Sequence, residues 1–165
     1  MQKIDIKALQ GNAVSLFDDK WCLITAGTTE SYNTMTASWG ALGELWNKDV
    51  CFIFIRPQRY TKEFVEREEY FTLSFFGEEY KKALTFCGRY SGRDYDKAKE
   101  TGLTPMPVDG SMSFEESETV IVCKKIAQQD IDPEGFIDKD IDSKNYSTKD
   151  YHTMYIGEII ACYTK

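Results

Sequence analysis

The sequence predicts a mainly β fold, a β-barrel with peripheral helices, built as one domain over residues 1–165. Short apolar runs rich in β-branched and aromatic residues outnumber the helical segments, and they suggest about six or seven antiparallel strands. No alternation of strands with long helices occurs, so a doubly wound parallel sheet is not favoured. Aromatic residues make up 14% of the chain. Such residues favour strands and can also line a pocket for a flat ligand.

The predicted elements follow one another at short intervals. Strands are expected at residues 21–26, 35–41, 50–55, 70–76, 119–126 and 154–163. Helices are expected at residues 62–69, with Thr61 as the capping residue, within residues 77–90, and at residues 94–100. The acidic stretch at residues 130–142 is expected to be a connection, because its spacing does not match a calcium-binding EF-hand loop.

Charge and composition exclude several function classes. The net charge of −7 argues against a nucleic-acid partner, which needs a basic surface. A single histidine argues against zinc chemistry, and no glycine-rich dinucleotide or P-loop motif is present. The five cysteines form no paired framework, which indicates a reducing compartment and thiols that are not redox partners of a cofactor. With no leader-like segment and no membrane-spanning stretch, we expect a cytoplasmic protein with no membrane partner.

The arginines are concentrated in one part of this acidic chain. All five lie between residues 56 and 93, whereas lysines occur from Lys3 to Lys165. Guanidinium groups suit the recognition of phosphate and carboxylate groups. The distribution therefore indicates one local anion site, with surface ion pairing as the alternative.

The segment Arg56-Pro57-Gln58-Arg59-Tyr60-Thr61 is the most specific motif. It leaves a predicted buried strand, turns at the proline and enters a predicted helix. Two guanidinium groups, a hydroxyl and free helix N-terminal N–H groups would then surround one point. This arrangement predicts phosphate binding, and the alternative is a capped helix with two exposed arginines.

Three further segments are weaker signals. Residues 33–39, NTMTASW, can bring backbone N–H groups and hydroxyls close to a planar heterocycle, or they can form an ordinary edge strand. Residues 87–94 form a glycine-flanked turn with two more arginines, which can close over a ligand or simply end a helix. His152 is the only imidazole, and a lone histidine is more often structural than catalytic.

Together these segments resemble the flavin reductase-like family in its flavoredoxin-like branch. The resemblance rests on the order NTMTASW, RPQRYT, FTLSFF, GRYSGRD and DYHTMYIGE, from about residue 21 to residue 165. It implies an FMN-binding split barrel that forms a homodimer, with part of the cofactor site supplied across the interface. It also implies a chemistry carried by the flavin, which fits the lack of a recognisable catalytic triad.

The resemblance implies a role for each matching residue. The isoalloxazine and ribityl chain would be lined by Asn33, Met35, Thr36, Ala37, Ser38 and Trp39. The phosphate would be held by Arg56, Arg59, Tyr60 and Thr61. Ser74 and Phe75 would lie on the neighbouring strand, with Arg89, Ser91 and Lys97 near the polar end of the cofactor. His152 would lie near the flavin or the nicotinamide.

Two functions remain open at this point. The first is an NAD(P)H-dependent flavin reductase, an oxidoreductase that transfers hydride through bound FMN. The second is an FMN-binding electron-transfer protein that a redox partner protein reduces. Rapid oxidation of NADH or NADPH favours the enzyme, and an exposed flavin edge in an acidic surface favours the carrier.

Overall fold

Strands dominate the computed structural model, which describes residues 1–165. The ten strands are β1 (Gln2–Ile4), β2 (Cys22–Gly27), β3 (Tyr32–Ala37), β4 (Gly40–Leu45), β5 (Lys48–Ile55), β6 (Tyr70–Phe75), β7 (Pro105–Val108), β8 (Ser111–Phe114), β9 (Thr119–Asp130) and β10 (Thr153–Thr164). The five α-helices are α1 (Ala13–Ser15), α2 (Thr61–Arg67), α3 (Lys81–Arg89), α4 (Lys97–Thr101) and α5 (Lys139–Asn145). None of these helices combines the length and apolar composition that crossing a lipid bilayer requires.

The strand order makes the sheet curve into a barrel. Its path is β3-β2-β6-β9-β10-β5-β4, all antiparallel, and β1 adds to the free part of β10. The two end strands, β3 and β4, are consecutive in the chain and are joined only by Ser38 and Trp39. The three Cα–Cα steps from Ala37 to Gly40 span no more than about 11 Å. The ends of the sheet therefore meet at this link without pairing there, which leaves a split. The predicted mainly β barrel with peripheral helices is confirmed.

The barrel interior is a continuous apolar core. Ile24, Ile53, Leu73 and Tyr155 come from four strands and are fully buried in one cluster. A second cluster lies outside the barrel, where α3 packs Leu84 against Leu23 of β2. Helices thus cover one outer face of the sheet, while the barrel interior excludes water.

Strand β10 lies inside the sheet between β9 and β5, and it approaches its neighbours closely at Gly157. A Cβ at this position would lie 2.6 Å from Cζ of Phe71 and 2.8 Å from Cβ of Cys123. Cys123 in turn has its Sγ 3.2 Å from Sγ of Cys51. All five cysteines are free and buried, so the interior treats them as small apolar side chains.

The predicted strand at residues 35–41 is divided in two by the structure. β3 ends at Ala37 and β4 begins at Gly40, because the chain must pass from one end of the sheet to the other between them. The predicted acidic connection contains helix α5, whose first turn is capped by the Asp138 carboxylate accepting from the backbone N–H of Asp140.

Thr61 does not cap helix α2 as predicted. Tyr60 occupies the capping position, and Thr61 is the first helical residue with its side chain fully buried. Its Oγ1 accepts a hydrogen bond of 2.7 Å from Nδ2 of Asn33. Thr61 therefore fastens α2 to β3, and its hydroxyl serves this contact instead of the helix end.

Candidate functional site

A pocket opens where the two ends of the sheet meet, and we call it the split pocket. Its cavity volume is about 220 Å³. The residues that line it come from β3, the link between β3 and β4, the end of β5 with the turn after it, and the residue before β10: Met35, Thr36, Ala37, Ser38, Trp39, Phe54, Arg56, Arg59 and His152. Eight of the predicted site residues therefore line this one pocket, together with Phe54.

Strand β3 reaches this pocket as an edge strand, since it pairs only with β2. Its outer edge meets helices instead of another strand. Lys97 Nζ donates to the Thr34 carbonyl at 2.7 Å, and the Thr36 hydroxyl donates to the Leu84 carbonyl. The main-chain groups on this outer edge of β3 have no strand partner. The side chain of Asn33 does not line the split pocket, because it is buried and donates to Thr61.

His152 forms the floor of the split pocket beside Trp39, with ring centroids 5.2 Å apart. The histidine is buried, and its Nδ1 shares a hydrogen bond of 2.8 Å with the Tyr146 hydroxyl. Burial, helped by the positive charge of Arg56, lowers the pKa of His152 to about 4. The imidazole is therefore neutral at pH 7, and its Nε2 has no protein partner.

Arg56 is held by the connection that carries α5. Its Nη1 pairs with Oδ2 of Asp150 at 2.6 Å, and its Nη2 donates to the Asn145 carbonyl at 2.9 Å. The guanidinium also lies over the Tyr146 ring, 5.0 Å from the centroid. Hydrogen bonds from Gln58 and Arg56 hold the pKa of Asp150 well below its usual range. The positive charge of Arg56 is thus already compensated.

A second hollow adjoins the split pocket through Arg59, and we call it the cation hollow. Its cavity volume is about 180 Å³. Three cationic side chains line it, those of Arg59, Arg89 and Lys97. The other lining residues are Gln58, Tyr60 and Thr61 before and at the start of α2, and Tyr90, Ser91 and Gly92 after α3. The structure therefore brings together the predicted Arg59, Tyr60, Thr61, Arg89, Ser91 and Lys97.

Two cations of this hollow, the partly buried Arg59 and the buried Lys97, donate hydrogen bonds to carbonyl groups. Arg59 Nη1 donates to the Gly88 carbonyl at 2.7 Å, and Lys97 Nζ donates to the Cys87 carbonyl at 2.8 Å. Neither side chain forms an ion pair, unlike Arg56. Burial lowers the pKa of Arg59, and it lowers the pKa of Lys97 to about 8. Since each group has more N–H donors than it uses, the hollow has spare donors and uncompensated positive charge.

Ser74 and Phe75 are not brought to either space. Ser74 is buried with its Oγ 2.9 Å from Oγ of Ser113, and Phe75 packs edge-on against Phe17 in the core. Phe54 also lines the split pocket, although it is not among the predicted site residues. Its neighbours Ile53 and Ile55 are fully buried, while Phe54 is only partly buried. The alternation of side chains along a strand could therefore have indicated that Phe54 lies on the opposite face of β5 from the core.

The fold and the two adjoining spaces define the class of protein, an antiparallel split barrel with a cation-lined site at the split. Residues 15–165 match the family described as the flavin reductase like domain, and the chain belongs to this family. The sequence has no match among the curated proteins that were compared with it.

Solved structures share this fold at low sequence identity. The FMN-binding domain of a flavin reductases-like enzyme from Shewanella baltica OS155 is 16% identical with a TM-score of 0.71, covering 99% of this chain and 76% of that one. Flavoredoxin of Desulfovibrio vulgaris (Miyazaki F) is 22% identical with a TM-score of 0.70, covering 99% and 77%. An NADH:FAD oxidoreductase of Streptomyces globisporus C-1027, in complex with NAD and FAD fragments, is 14% identical with a TM-score of 0.66, covering 88% and 74%. These three likenesses concern the fold alone.

Proposed function

We propose that the protein binds FMN across the split pocket and the cation hollow and acts as an NAD(P)H-dependent flavin reductase. The observation that carries the proposal is a pair of cations without a carboxylate partner, the partly buried Arg59 and the buried Lys97. An uncompensated buried charge is costly, and a phosphate group would relieve that cost. The family, and the names of the similar structures, support a flavin nucleotide as the ligand that carries this phosphate.

The residues present fit such a cofactor. Arg59, Arg89, Lys97 and the Ser91 hydroxyl would hold the phosphate, because their donors converge on one hollow. The link between β3 and β4 would hold the flat ring system, with Phe54 and Trp39 as apolar walls. When bound, FMN supplies two-electron redox chemistry.

His152 would act as a neutral hydrogen-bonding group beside the ring. Its low pKa keeps it uncharged at pH 7, and the Tyr146 hydroxyl occupies its Nδ1. Only Nε2 is then left for a ligand in the split pocket. The positive charge of Arg56 opposes protonation of the imidazole. Nε2 would therefore hydrogen-bond to the ligand from a neutral ring, without gaining or losing a proton.

A second copy of the chain would complete the site. The split pocket is open to solvent on the side of Trp39. Trp39, at its mouth, is 48% exposed, and Trp46 at the tip of the β4–β5 hairpin is 59% exposed. An exposed aromatic side chain such as Trp39 beside this pocket fits a homodimer that covers the cofactor.

The visible absorption spectrum of the purified protein tests cofactor binding, with mass analysis of the molecule released on denaturation. We expect a flavin spectrum and the mass of FMN. Oxidation of NADH and NADPH by the FMN-loaded protein then tests the activity. A protein that carries FMN but oxidises neither nucleotide would instead fit the second role, an electron carrier reduced by a partner protein. A protein with no affinity for FMN contradicts both roles.

A further inference from the structure

The hydrogen bond between Tyr146 and His152 can be made in two ways. A neutral imidazole has one N–H donor and one bare nitrogen that accepts, and a phenol hydroxyl can donate or accept. In the first arrangement the Tyr146 hydroxyl donates to Nδ1 of His152, and the ring proton lies on Nε2. In the second, the proton lies on Nδ1, which donates to the hydroxyl oxygen, and Nε2 is the bare nitrogen. The oxygen and Nδ1 are 2.8 Å apart.

The surroundings of the Tyr146 hydroxyl distinguish the two arrangements. Tyr146 is 3% exposed, and Nδ1 of His152 is the only hydrogen-bond partner of its hydroxyl. Burial raises the pKa of Tyr146, so the hydroxyl keeps its proton at pH 7. If the oxygen accepted from Nδ1, that proton would be buried without an acceptor, which is costly. The first arrangement leaves no donor without a partner at this bond.

The chain holds both rings of this hydrogen bond in place. The backbone N–H of Tyr146 donates to the Asp142 carbonyl at 2.9 Å, at the end of α5. The backbone N–H of Lys149 donates to the Tyr146 carbonyl at 2.9 Å and closes a turn, in which Lys149 has a φ of 59°. On the other side, the carbonyl of His152 accepts from the backbone N–H of Ile131 at 3.0 Å. The position of the hydroxyl therefore follows from the fold of the connection between β9 and β10.

The second ring nitrogen of His152 is the one that concerns a ligand. His152 lines the split pocket, and its Nε2 has no protein partner. Burial, helped by the positive charge of Arg56, lowers the pKa of His152 to about 4, so the ring has a single proton at pH 7. Since Tyr146 donates to Nδ1 in the first arrangement, that proton must be on Nε2.

We propose that Tyr146 is a positioning residue, whose hydroxyl donates to Nδ1 of His152 and so places the ring proton on Nε2. The floor of the split pocket is then a hydrogen-bond donor. It favours a ligand that presents an acceptor there, such as a carbonyl oxygen or a bare ring nitrogen of a planar heterocycle. This choice of ligand atom rests on the proposed function, in which a flavin nucleotide occupies the split pocket.

Nuclear magnetic resonance of the nitrogen-15-labelled full chain at pH 7 tests the tautomer, because protonated and bare imidazole nitrogens resonate far apart. His152 is the only histidine, so its ring signals need no assignment to a residue. Couplings to the ring C–H protons distinguish Nδ1 from Nε2. We expect a bare Nδ1 and a protonated Nε2. A protonated Nδ1, or an averaged mixture of the two tautomers, would overturn the proposal.

Two tyrosine variants test whether the hydroxyl is responsible. Tyr146→Phe should move the Nδ1 resonance towards that of a bare nitrogen without a hydrogen bond. Tyr151→Phe is the matched control, because its ring lies 4.9 Å from that of Tyr146 but its hydroxyl donates to Asp142. It should leave the signals of His152 as in wild type. An unmoved Nδ1 resonance in Tyr146→Phe, or an equal shift in both variants, would contradict the role of the hydroxyl.

Titration with FMN tests the choice of ligand atom. His152→Leu removes the donor and should weaken FMN about two- to tenfold, whereas His152→Gln keeps an N–H donor and should lose less. The same FMN affinity in wild type and His152→Leu would mean that the ligand does not use this donor. The expected tautomer in a protein without affinity for FMN would refute the proposed function and leave the role of Tyr146 standing. FMN binding by a protein with its proton on Nδ1 would refute the role of Tyr146 alone.

Discussion

At the scale of single residues, the site depends on how each cation is compensated. Arg56 faces the Asp150 carboxylate, whereas Arg59 and Lys97 face only main-chain carbonyl groups. A carbonyl supplies a hydrogen bond but no net negative charge. Arg59 and Lys97 should therefore contribute more to the affinity for a dianionic ligand than Arg56 does.

Arg59→Ala should weaken FMN binding about ten- to a hundredfold, because a charge-assisted hydrogen bond to phosphate contributes about 1.5–3 kcal/mol. Riboflavin, which has no phosphate, should be almost indifferent to the change. Arg59→Lys should restore part of the affinity, since it keeps the charge but loses the planar fork. Titration of both flavins measures the difference.

Arg67→Ala is the matched control for this experiment, because Arg67 pairs with Glu68 on the surface and lines neither the split pocket nor the cation hollow. It should leave both flavins at wild-type affinity. Equal weakening of FMN and riboflavin by Arg59→Ala would mean that Arg59 supports the fold, through its bonds to Cys87 and Gly88, and not the phosphate.

His152 should make the protein less stable in mild acid. Its folded-state pKa of about 4 lies below the ordinary 6.5. Between these values the unfolded chain binds more protons than the folded one, so stability falls as the pH falls. The full contribution is present above pH 6.5 and is lost towards pH 4. His152→Gln should flatten this dependence, measured as the urea midpoint at several pH values. A slope that is the same in both proteins would contradict the prediction.

At the scale of elements, Arg56 connects the β5 end to the segment that carries α5. Arg56→Ala removes the bonds to Asp150 and Asn145 and the contact with Tyr146. We expect faster amide hydrogen exchange in residues 139–151, with little change in the ratio of FMN to riboflavin affinity. Unchanged exchange together with a selective loss of FMN would instead assign Arg56 to the phosphate, as the sequence motif suggests.

Elements with strong local patterns were predictable from the sequence. The continuous apolar runs of β5, β6 and β9 predict buried strands close to their observed positions. The break between β3 and β4 was not predictable, because it depends on which strands become neighbours and not on any breaker at residue 38. β7 and β8 were missed because they are short, and β7 contains two prolines.

The sequence predicted which segments form the site, but not the role of each residue in it. Arg56 and Arg59 flank the same turn and look equivalent in sequence. They differ in the structure because Asp150, 94 residues after Arg56, pairs with Arg56 and not with Arg59. Likewise nothing local to Ser74 indicates that Ser113 takes its hydroxyl into the core. Long-range pairing decides these cases, so local spacing could not reveal them.

At the scale of the whole molecule, we expect a homodimer whose formation strengthens FMN binding. The exposed Trp39 at the pocket mouth would become buried in the dimer. Light scattering across a dilution series should give the mass of two chains, and FMN affinity should fall as the dimer dissociates. A monomer that retains FMN fully would contradict this expectation.

The position of β10 between β9 and β5 has a consequence for synthesis on the ribosome. The β4–β5 hairpin joins the rest of the sheet only through β10, which lies between β5 and β9. Until residues 153–164 have left the ribosome, the nascent chain holds two separate sheet fragments, each with an unpaired apolar edge. Barrel closure therefore requires β10, which joins the two fragments. Chaperone binding to chains arrested just before β10 should exceed binding to chains extended beyond it.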